Sequence, residues 1–358
     1  MAGALPHSQS DQRKIGGFYH MKIYNSLDYV NQVLTKNEPA MRYDGSQPFT
    51  EWQENARKKL EELLGLPFQK CDDCFQITGQ TECDGYRKID FEFQSEEGYF
   101  VPCNLLVPSS LVKALPGVIC LQGHSTGKHI SIGEPKFEND ATSIAGGRDF
   151  AVRAVKEGCC AIAMDQRYMG SAGQSETGAP ACLKHNAGMA TLLLGRTAIG
   201  ERVWDIMRLI DVIYDHLTEY IDTEKLICMG NSGGGTATFY ASCMDERIRY
   251  SMPSCAVCTY EASIMAMYHC PCNFVPGIRK YFNMGDLGGL IAPRPLVVVC
   301  GVEDPIFPIE GVEETFALIQ KAYKEVGCED LCRLVKGHSG HQFYPDDAWP
   351  VMRELMKA

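Results

Sequence analysis

Four short apolar runs, Gly117–Leu121, Cys159–Met164, Leu226–Met229 and Leu296–Cys300, do most to limit what this chain can become. Each is apolar without alternation and bounded by turn residues, the pattern of a parallel strand buried on both faces. Between them, Ile199–Leu217 reads as an amphipathic helix, its apolar residues at 199, 203, 206, 210, 213 and 217 stepping by three and four. Upstream, the stretch from Tyr86 through Phe93 alternates at period two, and Tyr99–Val107 reads as its hairpin partner. Strands alternating with helices after an antiparallel start predict an α/β fold with a mostly parallel central sheet, covered by helices on both faces. Residues 1–84 read as an N-terminal helical extension and residues 85–358 as the α/β domain. Within the extension, Tyr24–Leu34 and Phe49–Leu64 have helical spacing, the second stopped by Gly65 and Pro67. Two long stretches, Arg167–Ala198 and Ser254–Pro293, interrupt the alternation and are expected to form inserted lids or substrate walls.

Composition excludes several functions. With 45% hydrophobic and 22% charged residues over 358 positions, the chain is an ordinary globular protein that needs no metal or disulfide to fold. A net charge of −11 without any Lys/Arg run argues against nucleic-acid partners and anionic membranes. No run of about 18 apolar residues exists to span a bilayer, and Met1–Lys14 lacks the apolar core of a secretory signal. The seventeen cysteines are an odd number, and many lie in strand-like runs (Cys120, Cys159, Cys160, Cys228, Cys300), so they read as reduced core residues and the location as cytoplasmic. Cys71-x2-Cys74, Cys255-x2-Cys258 and His269-Cys-Pro-Cys272 match no compact zinc module, so no metal and no cofactor are expected. Whether the chain forms a homo-oligomer stays open.

Two Gly-x-Ser-x-Gly motifs occur, Gly123–Gly127 and Gly230–Gly234, and only one can hold a nucleophile. A nucleophile elbow is a strand, a sharp turn and then a helix whose first amides face the reacting oxygen. Ser232 follows an apolar run and precedes Gly-Gly-Thr-Ala-Thr-Phe-Tyr-Ala, small enough for a helix start to pack on a sheet; Ser125 is followed by Gly133 and Pro135, unsuited to one. Ser232 is therefore the expected nucleophile. The Gln122–Ser125 loop then supplies the His124 amide, with the Gly233 amide, as oxyanion hole. In this chain order an acid and a histidine must follow the serine. Asp304, in Gly301-Val-Glu-Asp-Pro, sits just past a strand's carboxyl end and is favoured over Glu303. The base is His338 or His341, both in Lys336-Gly-His-Ser-Gly-His-Gln-Phe.

These motifs, with Leu121-Gln-Gly-His, Asp165-Gln-Arg-Tyr-Met-Gly, the stretch from Ile291-Ala-Pro-Arg-Pro-Leu to Asp304, and Gly340-His-Gln-Phe-Tyr, resemble an α/β-hydrolase of the acetyl-xylan-esterase-like and dienelactone-hydrolase-like group. The resemblance covers about residues 85–358, which it makes the catalytic domain. Its Gly-His-x-Phe context selects His341 as the base. It implies a serine carboxylic-ester hydrolase that works without a cofactor through an acyl-enzyme, on short-acyl esters of small hydroxylated compounds or sugars. The alternatives are a prolyl-oligopeptidase-like peptidase, a dienelactone-type lactone hydrolase, and a catalytically silent binding protein. Arg167, Tyr168, His185 and His269 fall in the inserted stretches and are the candidate substrate contacts.

Overall fold

The computed structural model describes residues 12–15, 18–21, 23–173 and 187–357. Strands β1 (Gln12–Ile15) and β2 (Phe18–Met21) pair with each other. The main sheet holds β3 (Gln76–Cys83), β4 (Tyr86–Glu96), β5 (Tyr99–Pro108), β6 (Leu115–Leu121), β7 (Cys160–Met164), β8 (Ile221–Asn231), β9 (Tyr250–Ser254), β10 (Leu296–Gly301) and β11 (Cys332–Gly337). Its order is β11-β10-β9-β8-β6-β7-β5-β4-β3. From β7 to β11 all neighbours are parallel, while β5, β4 and β3 add an antiparallel edge.

The apolar runs alternate between two cores, as strands covered on both faces must. Ile119 and Leu121 of β6, with Val298 and Cys300 of β10, join one core. Helices α1 (Ser26–Thr35), α2 (Phe49–Leu64), α3 (Phe150–Lys156), α4 (Ala198–His216), α5 (Gly233–Met244), α6 (Ile309–Glu325) and α7 (Pro345–Leu355) accompany the sheet. Helices α2, α4, α5 and α6 close that first core. Val118 and Cys120, with Val297 and Val299, point the other way and meet α3 and α7 through Phe150, Trp349 and Met352. Every described cysteine is a free thiol. Burial pushes Cys228 up to about 12, so it behaves as a small core hydrophobe.

The segment before residue 85 is not the purely helical extension expected. It contributes β1 and β2, and β3 forms the edge of the main sheet. Its helix α2 buries Trp52, Ala56, Leu60 and Leu64 in the same core as the sheet. Strand β3 (Gln-Ile-Thr-Gly-Gln-Thr-Glu-Cys) is mostly exposed, so it has no apolar alternation to betray it. Strand β9 (Tyr-Ser-Met-Pro-Ser) was also unanticipated; it is buried mid-sheet, but two serines and a proline hide it among loop residues. Among the described residues, no helix is long and apolar enough to cross a membrane.

Candidate active site

The carboxyl ends of β6, β8, β9, β10 and β11 open at one edge of the sheet, and the expected functional residues lie in the loops that leave it. Ser232 sits between β8 and α5 at φ +57°, ψ −123°, a backbone state that non-glycine residues seldom adopt. Its neighbours explain how that turn is held. The Ser232 amide donates to the Ser254 carbonyl at the end of β9, 2.8 Å away, and Ser254 Oγ donates to Asn231 Oδ1 at 2.8 Å. A methyl group on Gly234 would fall 2.1 Å from the Leu121 carbonyl oxygen, and one on Gly230 would fall 2.5 Å from that of Gly234. The glycines let α5 begin directly against the strand ends.

The two Gly-x-Ser-x-Gly motifs interlock. A Cβ on Gly123 would lie 2.7 Å from the Asn231 carbonyl oxygen, and one on Gly233 would lie 2.8 Å from His124 Cε1. Gly233 is the first residue of α5, where the intrahelical ladder offers its N–H no acceptor. The loop after β6 is tied down by charge-assisted bonds: Asp165 accepts from Lys128 N at 2.8 Å, and Asp140 meets His129 Nε2 at 2.7 Å. Ser125 is buried within this loop, and its hydroxyl has no hydrogen-bond partner among the described residues.

Asp304 and His341 converge because β10 and β11 are adjacent and in register, Gly301 opposite Gly337. Their loops zip further, Val302 N to Gly337 O at 3.0 Å and Glu303 N to Ser339 O at 3.0 Å. His341 Nδ1 lies 2.7 Å from Asp304 Oδ2. Asp304 Oδ1 accepts from the amides of Ile306 at 2.8 Å and Phe307 at 3.2 Å. Burial works to raise the Asp304 pKa, but the bond to His341 and those two amides outweigh it and hold the carboxyl below the ordinary aspartate value. The His341 ring stacks on Phe307. Its loop is braced by Cys255, whose thiol donates to the Gln342 carbonyl at 3.2 Å, and by Tyr344, whose hydroxyl donates to the Gly340 carbonyl at 2.7 Å. Glu303 and His338, the rivals, are exposed to solvent.

Ser232, Gly233, His124, His341 and His269 line one cavity of about 260 Å³ together with Arg148, Cys270, Asn273 and Phe307. His269 is the one candidate substrate contact among the described residues that faces it. Its Nε2 lies 3.2 Å from Ser263 Oγ, and burial, then the nearness of His124, lowers its pKa. Arg167 and Tyr168 do not line that cavity. Arg167 is buried, its Nε and Nη2 donating to the two Asp205 carboxylate oxygens at 2.8 Å each, with Glu96 at 2.7 Å and the Tyr99 ring 4.2 Å away. Three carboxylates surround this guanidinium, Glu201 standing 3.7 Å from its Nη1. Tyr168, at φ +70°, donates its hydroxyl to Glu201 in the same cluster. His185 lies outside the described residues.

Sequence reasoning missed Arg148, Asn273 and Phe307 because nothing in local spacing marks them. It also missed that His124 closes on the His269-Cys-Pro-Cys272 segment: His124 Nε2 is 3.1 Å from Cys272 Sγ, and Cys270 Sγ is 3.1 Å from Cys272 Sγ. His124, Cys270 and Cys272 are one set of donors close enough to share a metal ion; Cys255, Asp304 and His341 are another.

A family model described as an Abhydrolase family matches residues 7–355. The chain is 28% identical over 153 residues to YtaP of Bacillus subtilis, described as a hydrolase; the match spans 42% of this chain and 50% of YtaP. Among solved structures, it resembles a Bacteroides fragilis protein described as an acetyl xylan esterase (TM-score 0.73, 20% identity, 90% of this chain and 84% of that one). It also resembles a glucuronoyl esterase from Solibacter usitatus (TM-score 0.68, 14% identity, 90% of this chain and 98% of that one).

Proposed function

The chain belongs to the Abhydrolase family, and from that premise we propose that it is a serine carboxylic-ester hydrolase acting through Ser232, His341 and Asp304. The observation that carries the reading is the company Ser232 keeps. An elbow serine at φ +57° shares one small cavity with a histidine whose other nitrogen is 2.7 Å from a buried aspartate. His341 takes the Ser232 proton through Nε2 as Ser232 Oγ attacks the ester carbonyl. Asp304 fixes the tautomer by accepting from Nδ1 and stabilises the imidazolium that forms. The amides of Gly233 and His124 meet the developing oxyanion, donors often worth several kcal/mol. His341 returns the proton to the leaving alcohol, then activates a water that hydrolyses the acyl-enzyme. No metal or cofactor takes part in this scheme.

The substrate reading is a short acyl group, acetyl above all, on a small hydroxylated alcohol or sugar. Similarity to proteins described as acetyl xylan and glucuronoyl esterases supports it by analogy. So does the cavity itself: it is small, three histidines, an asparagine and an arginine stand in its wall, and its apolar side chains, Ile306 and Phe307 with the Tyr268 ring, form a short patch and not a long trough. A long acyl chain gains about 0.8 kcal/mol per buried CH₂ only where a continuous apolar trough receives it. The test is kcat/KM across p-nitrophenyl acetate, butyrate, octanoate and palmitate, with an acetylated sugar alongside. Acetate should lead and the acetylated sugar should be cleaved; a maximum at octanoate or beyond would reject the reading.

A further inference from the structure

Arg148 lines the Ser232 cavity without a carboxylate partner among the described residues. Arg167, Arg196, Arg208, Arg247 and Arg279 each meet a carboxylate at 2.5–2.8 Å. The largely buried Arg294 is surrounded instead by carbonyl oxygens, among them those of Ile248 and Ser242 at 2.7 and 2.6 Å. Arg148 forms no ion pair with any described acidic side chain; the titratable group acting on its charge is the Cys255 thiol. Burial accordingly lowers its pKa from the ordinary arginine value. Holding an uncompensated guanidinium away from bulk water is costly, and such a group is ordinarily paired.

Its position is not incidental. Arg148 follows Gly147, at φ +80°, and its carbonyl accepts from Gln122 Nε2 at 2.7 Å. Gln122 Nε2 also reaches Ser131 Oγ at 2.6 Å, so the backbone that carries Arg148 is fastened to the base of the His124 loop. The side chain lines the Ser232 cavity, whose other ionisable walls are three imidazoles, the Cys270 thiol and the Tyr268 phenol, with no carboxylate among them. Asp304 stands behind His341 with both its oxygens engaged. In a chain of net charge −11, the reacting cavity is a cationic pocket.

We propose that Arg148 anchors a carboxylate carried by the substrate, so that the esters this chain prefers are monoanions with a free carboxylate near the scissile bond. The inference rests on the serine-esterase reading and narrows it. The planar fork of a guanidinium matches a carboxylate bidentately, and a charge-assisted pair is stronger than a neutral hydrogen bond. The chemistry at Ser232 is unchanged; Arg148 fixes where the ester lies. It is a specificity residue that touches substrate away from the reacting carbonyl.

The test uses matched pairs that differ only in the charge: p-nitrophenyl hemiglutarate against p-nitrophenyl methyl glutarate for an acyl-side carboxylate, and O-acetyl lactate against its methyl ester for an alcohol-side one. In one pair the anion should be favoured about 10- to 100-fold in kcat/KM, a ratio expected from one charge-assisted contact. Arg148→Gln should collapse that ratio chiefly through KM, and Arg148→Lys should restore part of it. A neutral preference in both pairs, or a ratio that Arg148→Gln does not move, overturns the proposal. Calorimetric titration of the Ser232→Ala protein with monomethyl glutarate and with lactate reads the same contact without turnover. Arg148→Gln in that background should weaken the binding of one of them tenfold or more; no weakening for either also overturns the proposal. If anion binding depends on Arg148 while no ester is hydrolysed, the esterase reading fails and the anion site stands.

Discussion

Arg167 gives a direct way to separate a substrate contact from an internal strut. Replacing Asp205 by Asn removes the carboxylate that accepts from Arg167 Nε and Nη2 at 2.8 Å each, with almost no change in shape. Asp205 is fully buried and also accepts from Ser95 Oγ. Removing one partner of a buried ion pair costs about 3–5 kcal/mol. The lower end applies here, because Glu96 stays 2.7 Å from Arg167 Nη2. Unfolding entropy of about 2.1 cal/mol/K per residue, taken over 358 residues, is about 0.75 kcal/mol/K. A loss of about 3 kcal/mol then lowers Tm by about 4 °C. The assay is thermal denaturation followed by circular dichroism, with KM for p-nitrophenyl acetate measured below the transition. Tm should fall by that amount while KM stays within twofold of the parent. An unchanged Tm with a KM raised tenfold would refute this and return Arg167 to the substrate site.

Other consequences follow from the same geometry. Asp304→Asn should lower kcat by about 10³–10⁴ while the protein stays folded, since the imidazole loses the acceptor that fixes its tautomer. Because the folded Asp304 pKa lies below the unfolded value of about 3.9, its contribution to stability is full above about pH 4 and is lost as pH falls through the folded pKa. Urea denaturation should therefore show the gap between parent and Asp304→Asn closing below pH 4; a constant gap would contradict the assignment. Gly234→Ala forces a methyl to 2.1 Å from the Leu121 carbonyl, and should destabilise by at least the 1–3 kcal/mol typical of overpacking, read as a lowered urea midpoint. His341→Ala should abolish turnover of p-nitrophenyl acetate, whereas His338→Ala, an exposed ring stacked edge-on to Tyr344, should keep most of it.

Some of this architecture was written plainly in the chain. The buried parallel strands β6, β7, β8 and β10 are continuous apolar runs, and helix α2 begins and ends where its spacing and Gly65 require. The elbow was legible because a strand, Gly-x-Ser-x-Gly and a small-residue helix start form one local unit. That Asp304 and His341 meet was legible through chain order and the residues around them. What stayed hidden depends on contacts far apart in sequence. Arg167 sits beside the expected site in sequence, yet its partners Asp205 and Glu96 come from α4 and β4 and draw it into the core. Arg148 reaches the cavity through a loop with no periodicity, and His124 meets Cys272 across 148 positions of sequence. Strand β3 is exposed and polar, and β9 is short and serine-rich, so neither carried the hydrophobic pattern by which strands are found.

The central claim is that Ser232, and not Ser125, is the nucleophile raised by His341. Incubation with a fluorophosphonate, followed by intact-mass measurement and peptide mapping, reads it without any choice of substrate. One phosphonyl group per chain should appear, on Ser232. It should be absent in Ser232→Ala, greatly slowed in His341→Ala, and retained in Ser125→Ala. A label on Ser125, or ester hydrolysis that persists in Ser232→Ala, would contradict the account.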